Sequence, residues 1–329
     1  MRNSDLDAPF HGVRLRREVT SAAMTAAEGE IAADASAVAV AARFHRAVLA
    51  ARARAFARVC PPHMFFRGVT AGVVWGVPLP LRCVNPDAHA RLSRREGLAL
   101  DRDSPRPLDT AVLPPHRASR ASGVNGRQLS EALTVVQEYD GLRVVSPATL
   151  WTQLAQELTV DELIVVGDAL VHEPRRSDGS RAPAGSGRTT LGRLEAALNA
   201  GRRVGAAKLR EALPQIRVGG ASSAETDLRL ALIRAGLPDA VLDYDVVGLR
   251  GEFIGYTEFA YPAFRLLLEY EGDHHRTDRA QWNRDIEKHA AATAAGCTVL
   301  RLTSRHLYPH AAPAVEQVRQ ALLRAGWRP

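Results

Sequence analysis

A short apolar run that ends in a dense group of charged residues constrains the fold of this chain most strongly. Residues 266–268 are all leucine and lie between Pro262 and Gly272. The run is too short for a helix, so the pattern predicts a buried strand. Three carboxylates and two histidines follow within seven residues. Burying a strand that ends in so much charge is costly unless a cation or hydrogen bonds compensate, so the pattern is typical of a metal site.

The carboxylates and histidines of this group, together with Glu258, eleven positions before Glu269, form a pattern. This pattern resembles the nuclease core of the very-short-patch-repair endonucleases and of the larger PD-(D/E)xK superfamily. The matching residues are, in chain order, Glu258-Phe259, Glu269-Tyr270-Glu271-Gly272, and His274 or His275. In that family an acid ends one strand, a second acid ends the next, and a glycine and a histidine follow. The resemblance covers approximately residues 217–329 and implies a restriction-endonuclease-like domain.

The predicted chemistry is metal-assisted hydrolysis of a phosphodiester. Glu258 and Glu269, on neighbouring strands, are the expected ligands of Mg²⁺ or Mn²⁺, with positions left for water and phosphate. Alternation along a strand puts Glu271 on the face of Glu269, so it either extends the site or binds a water beside it. His274 or His275 is the expected general acid or base, or holds the scissile phosphate, and the choice between them stays open.

Two positions depart from the family pattern. Glu258 stands where aspartate is usual, and Glu271 stands where the family has a lysine. The only lysine of the C-terminal part is Lys288, one helical turn after Arg284. Either side chain could reach inward toward the site or contact nucleic acid, but we expect a solvated helix pair. The departures leave room for an inactive relative, and a zinc site at the histidine pair is disfavoured because no third ligand has a recognised spacing.

Glu225 has two competing interpretations. Ser222 and Glu225 have the spacing of a capping box that begins a helix. In the resembled family a glutamate on this first helix leans over the active site, and Glu225 occupies that position. The sequence alone supports the capping role and the catalytic role equally.

The N-terminal part resembles a different family. Residues 64–80 contain Thr70 as a candidate cap, Trp75 as a candidate core residue, and a turn from Gly76 to Pro78. This layout is similar to the winged-helix region of AbiEi-type antitoxins, which implies a module that binds DNA or a partner protein over about residues 1–170. Three basic residues of that region are candidates for phosphate contacts or for a solvated edge: Arg91, Arg94 and Arg95.

The predicted fold class is α/β in the α+β arrangement. Residues 1–172 are expected to form a mostly helical, winged-helix-like region, with a strand at 81–85 and a long loop or irregular arm at 101–128. Residues 173–215 are expected to be a linker with short helices. Residues 216–329 are expected to form a mixed sheet flanked by helices.

Charge and cysteine usage suggest the partners and the compartment. The net charge is +7 and the pI is about 9.8, which favours polyanionic partners. Cys60, Cys83 and Cys297 are far apart, which favours a reduced, cytoplasmic compartment. No signal peptide or membrane span is evident.

The sequence thus predicts a metal-dependent DNA endonuclease. A non-catalytic, DNA-binding transcriptional regulator of the antitoxin type is the alternative. An RNA substrate, and a partner protein from a toxin–antitoxin or defence system, stay open.

Overall fold

The chain forms two compact units. The computed structural model describes residues 6–10, 13–16, 25, 36–94, 106–176, 178–271 and 279–329. The first unit is built from Met1–Val166 and Thr189–Gln215, and the second from Gly167–Arg188 and Ile216–Pro329. Both units combine helices with sheets, so the predicted α+β class is confirmed. Within the described ranges, no helix is both long enough and apolar enough to cross a bilayer.

The first unit holds two sheets and most of the helices. Its helices are α1 (Ala37–Ala57), α2 (Gly68–Val74), α3 (Leu81–Val84), α4 (Pro86–Ser93), α5 (Pro147–Leu154), α6 (Val160–Val171), α7 (Leu191–Asn199) and α8 (Ala206–Ala212). Its strands are β1 (Leu6–Phe10), β2 (Val13–Arg16), β3 (Phe65–Phe66), β4 (Leu108–Val112), β5 (Val124–Gln128), β6 (Val136–Tyr139) and β7 (Leu142–Val145). β1 pairs with β2, and the others form one sheet in the order β5-β4-β3-β7-β6. The division between the units falls within α6.

Capping residues begin two of these helices. The Asn85 side chain accepts a backbone N–H in the first turn of α4, ahead of Pro86. The Ser146 hydroxyl does the same for α5, ahead of Pro147. Proline suits this position because its missing N–H is not needed in the first turn.

Two predictions for the first unit are wrong. Residues 81–85, predicted as a strand, contain helix α3, because the N–H groups of Cys83 and Val84 donate to the Pro80 carbonyl. Residues 101–128, predicted as a loop, contain β4 and β5. All five residues of β4 are buried, so this strand lacks the alternation that would have revealed it. The unit is therefore less helical than predicted.

The second unit is a four-stranded sheet with helices on both faces. Its strands are β8 (Val241–Val247), β9 (Phe253–Tyr261), β10 (Leu266–Glu271) and β11 (Thr298–Thr303), and its helices are α9 (Ser223–Arg234), α10 (Arg279–Ala294), α11 (Ser304–Leu307) and α12 (Ala312–Arg324). The strand order is β11-β10-β9-β8. β8, β9 and β10 are antiparallel in turn, whereas β10 and β11 are parallel.

The leucine run of β10 fills two cores. Leu266 and Leu268 pack with Leu228 of α9 in one apolar cluster, to which α12 also contributes. Leu267 packs with Ala292 of α10 in another. Because successive residues of a strand point to opposite faces, α10 covers the face opposite to α9 and α12.

The segment predicted as a linker is divided between the units. Residues 173–188 belong to the second unit, and residues 189–215 belong to the first. The composition of residues 173–188 suggests a flexible chain, yet Arg175 and Arg181 have carboxylate partners on β8. Such ion pairs between segments distant in sequence leave no signal in the composition.

Candidate active site

A row of charged residues crosses the sheet of the second unit, and we call it the charged row. β11 pairs Arg301 directly with Glu269. The register of β9 with β10 brings Glu258 opposite Glu269, one step beyond the last pair of the two strands. The register of β8 with β9 brings Asp243 opposite Glu258, where Asp243 has a φ of 49°. Glu269 lies two residues after Leu267, which packs against α10, so both point to the same face of the sheet. Directly opposite residues also share a face, so Glu258 and Glu269 both lie on the face covered by α10.

Helix α10 supplies two partners to the Glu269 carboxylate. The Lys288 ammonium lies 2.5 Å from Oε1, and Nε2 of His289 lies 2.6 Å from Oε2. All three side chains are at most 21% exposed. Both oxygens of Glu269 are therefore held, and the plane of its carboxylate is fixed.

The Glu258 carboxylate is in an unfavourable electrostatic position. Its Oε2 accepts a hydrogen bond of 2.6 Å from the backbone N–H of Tyr270. Burial raises the pKa of Glu258 to about 8, and the nearby carboxylates of Glu225 and Glu269 add to the effect, against the Tyr270 hydrogen bond and the Lys288 charge. A cation bound here would relieve this repulsion.

Glu225 combines the two predicted roles in part. The Ser222 hydroxyl accepts the N–H of Glu225 (3.2 Å), as a capping box requires. The Glu225 carboxylate accepts the N–H of Ala221 (2.9 Å), one residue earlier than the box predicts. This side chain is buried, and burial raises its pKa, with Asp243 and Asp168 acting in the same direction. Glu225 therefore both caps α9 and lies within electrostatic reach of Glu258.

Sequence reasoning missed Asp243 and its partners. Nε of Arg175 lies 2.5 Å from one Asp243 oxygen, and Nη1 of Arg181 lies 3.0 Å from the other. Arg175 also contacts Asp245 (2.6 Å) and stacks over the Tyr256 ring at 4.4 Å. The periodicity of β8 identifies a strand, but nothing in it indicates that arginines more than 60 residues earlier neutralise its acids.

Of the remaining predicted site residues, the structure describes the acid Glu271 but neither of the two histidines. Glu271 forms an ion pair with Arg301 on β11 and is partly exposed. His274 and His275 lie outside the described residues. Glu271 is therefore neutralised by an arginine that the sequence prediction did not consider.

The expectation of a solvated Arg284–Lys288 pair is wrong for Lys288, which points to the charged row. The Arg284 side chain lies outside the described side chains. His289 was missed altogether, because its position relative to the sheet follows from how α10 packs. Ala292 is buried against the sheet, and positions three and four residues before it share its face of α10. Those positions are Lys288 and His289.

The donor set suits a hard divalent cation. Glu258 and Glu269 offer carboxylate oxygens on adjacent strands, which Mg²⁺ and Mn²⁺ prefer. No group of three or more histidine, cysteine, aspartate or glutamate side chains that could hold a metal occurs among the described residues. A cation would therefore be held by Glu258, Glu269 and water.

The predicted basic contacts of the first unit lie at one helix end. Arg91 is in the last turn of α4, half-buried, and Arg94 is the exposed C-cap residue. Arg95 lies outside the described residues. Basic residues at a helix C-terminus complement the helix dipole, which explains Arg91 without a ligand.

Comparison with known proteins gives distant similarity only. No model of a known protein family matches the chain. Two uncharacterized proteins of Mycobacterium tuberculosis, from strains CDC 1551 / Oshkosh and ATCC 25618 / H37Rv, are 29% identical to it over 167 residues. The alignment covers 50% of this chain and 56% of each relative, so the chain spans about half the length of the curated relatives it matches.

Proposed function

We propose that the second unit is a metal-dependent endonuclease that hydrolyses phosphodiester bonds in DNA. The observation that carries this proposal is that Glu258 and Glu269 lie opposite one another on adjacent strands and share one face of the sheet. Three antiparallel strands followed by a parallel one, with helices on both faces, also agree with the restriction-endonuclease-like fold that the sequence resemblance implies.

The acids and histidines of the second unit divide the work of the proposed reaction. Glu258 and Glu269 hold Mg²⁺ or Mn²⁺, which when bound offsets phosphate charge and lowers the pKa of its water. The Tyr270 N–H orients Glu258. Glu225 lies within electrostatic reach of Glu258 and raises its pKa. His274 or His275 is the proposed proton donor or acceptor, and Glu271 stays paired with Arg301.

We further propose that DNA is the substrate and the cytoplasm the compartment. The excess of basic residues lies in the N-terminal part, where residues 1–214 carry 29 lysine and arginine against 22 aspartate and glutamate. This distribution suits a first unit that binds DNA and a second unit that cleaves it. Cys60, Cys83 and Cys297 are all unpaired, which suits a reducing compartment.

A second function is favoured by a different observation. Lys288 and His289 engage both oxygens of Glu269, and the pKa of Glu258 is about 8. Glu269 is therefore satisfied by the chain itself, and Glu258 favours its neutral form, as expected of a domain that has lost catalysis. Such a protein would be a DNA-binding regulator of the antitoxin type, acting alone or with a partner protein.

Calorimetric titration with Mn²⁺ separates the two functions. The nuclease binds Mn²⁺, and Glu258→Gln and Glu269→Gln each weaken that binding, whereas Glu287→Gln, an exposed acid on α10, does not. The regulator binds no Mn²⁺ in any of the four proteins, and its affinity for DNA is the same with and without EDTA. Parallel titrations with single-stranded RNA and duplex DNA identify the preferred polymer.

A further inference from the structure

We propose that the first unit carries a site for a phosphate group, formed by the guanidinium of Arg67 together with those of Arg106 and Arg127. The inference deepens the proposed function, because it rests on the DNA-binding role of the first unit and locates a contact for the nucleic-acid backbone. A backbone phosphodiester and a free phosphate monoester present the same kind of oxygen, so the shared chemistry is a phosphate group.

Three strands place the polar side chains of the site in one row on the five-stranded sheet. The backbone N–H of Arg67, directly after β3, donates to the carbonyl of Asp109 on β4, and Asp109 pairs with Asn125 on β5. Since directly opposite residues share a face, these three side chains lie on the same side of the sheet. Arg127 follows Asn125 by two residues on β5 and therefore shares this face.

Arg67 is a largely buried cation with little compensation. Its side chain is 14% exposed, and its Nη2 lies 3.6 Å from Oδ1 of Asp109, beyond hydrogen-bonding distance. Its Nε is buried and has no hydrogen-bond partner within the described ranges. Burial lowers the pKa of Arg67, and the charge of Arg127 acts in the same direction, against that of Asp109. Because a buried guanidinium is costly without a hydrogen-bonded counter-charge, this position favours an anion.

The Asp109 carboxylate is shared among several donors. Its Oδ1 accepts a hydrogen bond of 2.7 Å from Asn125, and its Oδ2 lies 3.3 Å from Nη2 of Arg106. Arg106 is 17% exposed and also contacts Glu157 at 3.0 Å. The three arginines of the site therefore face two carboxylates, and the uncompensated positive charge lies at Arg67.

A phosphate group matches this arrangement. A guanidinium offers five N–H donors in a planar fork that binds two phosphate oxygens at once. Asn125 and Arg127 are exposed on β5, so the row is reachable from solvent at that edge of the sheet. A bound phosphate would give the Arg67 fork the hydrogen-bonded counter-charge that Asp109 supplies only at a distance.

The test uses the full chain with Arg67→Met, Arg67→Lys and Arg127→Met, and with Arg193→Met, which changes an exposed arginine on α7, as the matched control. Calorimetry in EDTA at constant ionic strength measures the binding of inorganic phosphate and of AMP. The wild type and Arg193→Met are expected to bind both. Arg67→Met is expected to bind them about 100-fold more weakly, because two charge-assisted hydrogen bonds are lost. Arg67→Lys and Arg127→Met are each expected to bind them about tenfold more weakly.

Affinity for a short DNA duplex in EDTA, measured over a range of salt concentrations, identifies the source of the phosphate. If the DNA backbone occupies the site, Arg67→Met reduces the slope of log affinity against log salt by about 0.9, and inorganic phosphate competes with the duplex. If a free phosphate monoester occupies it, Arg67→Met keeps the wild-type slope and still loses the binding of AMP.

The outcomes are distinguishable from a failure of the proposed function. If Arg67→Met and Arg127→Met bind phosphate, AMP and DNA as the wild type does, or if the wild type binds no phosphate and the salt slopes are equal, the site is overturned. Metal-dependent cleavage by the second unit is unaffected by that result. A wild type that binds phosphate but no DNA contradicts the DNA-binding role and keeps the site. Thermal unfolding identifies any variant that does not fold, and exposed Arg127 carries the test where Arg67→Met fails to fold.

Discussion

The backbone N–H of Tyr270 donates a hydrogen bond to the carboxylate of Glu258 just beyond the point where β9 and β10 stop pairing. This hydrogen bond holds the half-buried Glu258 carboxylate near the carboxylates of Glu225 and Glu269. Burial and the neighbouring carboxylates raise the pKa of Glu258 to about 8. The folded chain therefore favours the protonated form of this side chain at neutral pH.

This raised pKa predicts a pH-dependent stability of the metal-free protein. The pKa of Glu258 in the folded state is above its value of 4.5 in the unfolded state. The unfolded state thus loses its proton first, and stability falls as pH rises from about 4.5 to about 8. We expect Glu258→Gln to remove this dependence and to raise the free energy of unfolding at pH 8 by on the order of 3 kcal/mol. Chemical denaturation in EDTA at pH 5 and pH 8 measures both effects.

Glu287→Gln is the control for that experiment, since Glu287 is exposed on α10. The account of Glu258 is wrong if Glu258→Gln is no more stable than the wild type at pH 8.

Breaking the buried ion pair between Asp168 and Arg229 is expected to cause the largest loss of stability in the second unit. Asp168 accepts hydrogen bonds from Thr226 (2.8 Å), the Arg217 N–H (2.7 Å) and Arg229 (2.7 Å), and Asp168 and Arg229 are both buried. Asp168→Asn leaves the Arg229 charge buried without its counter-charge, so we expect a loss of about 3–5 kcal/mol in the free energy of unfolding. Exposed Asp239 provides the matched substitution, Asp239→Asn, which should change stability by less than about 0.5 kcal/mol.

The contacts of Arg175 predict that this residue keeps residues 173–188 in place. Its guanidinium contacts Asp243, Asp245 and the Gly179 carbonyl. Lysine cannot reproduce these forked contacts, so Arg175→Lys should speed amide hydrogen exchange in residues 173–188 and in β8 on the order of tenfold. The neighbouring exposed Arg176 gives the control, Arg176→Lys. Equal exchange in the two variants would show that Arg175 does not hold the segment.

The sequence was sufficient to predict much of the second unit. The leucine run of β10 and the cap at Ser222 are local signals, and each identifies an element that the structure contains. The opposition of Glu258 and Glu269 follows from two adjacent strands joined by a short turn. Local patterns of this kind are reliable because the same residues both form and bury the element.

Features that depend on distant residues could not be predicted in this way. Asp109 lies in the fully buried strand β4 and accepts a hydrogen bond from Asn125 (2.7 Å) on the neighbouring strand. Asp243 is paired with Arg175 from a segment whose composition suggests a linker. Charge on a helix is usually exposed, which favours a solvated Lys288 over one that reaches inward, whereas here a carboxylate on the sheet compensates its burial.

Cleavage of supercoiled plasmid by the full chain and by Glu269→Gln, each with Mg²⁺, with Mn²⁺ and with EDTA, tests the central claim most directly. We predict nicked or linear plasmid from the wild type with either metal, none in EDTA, and a loss of about 100-fold or more in Glu269→Gln. A wild type that leaves the plasmid intact under every condition while binding it as tightly as Glu269→Gln does would contradict the nuclease and support the regulator.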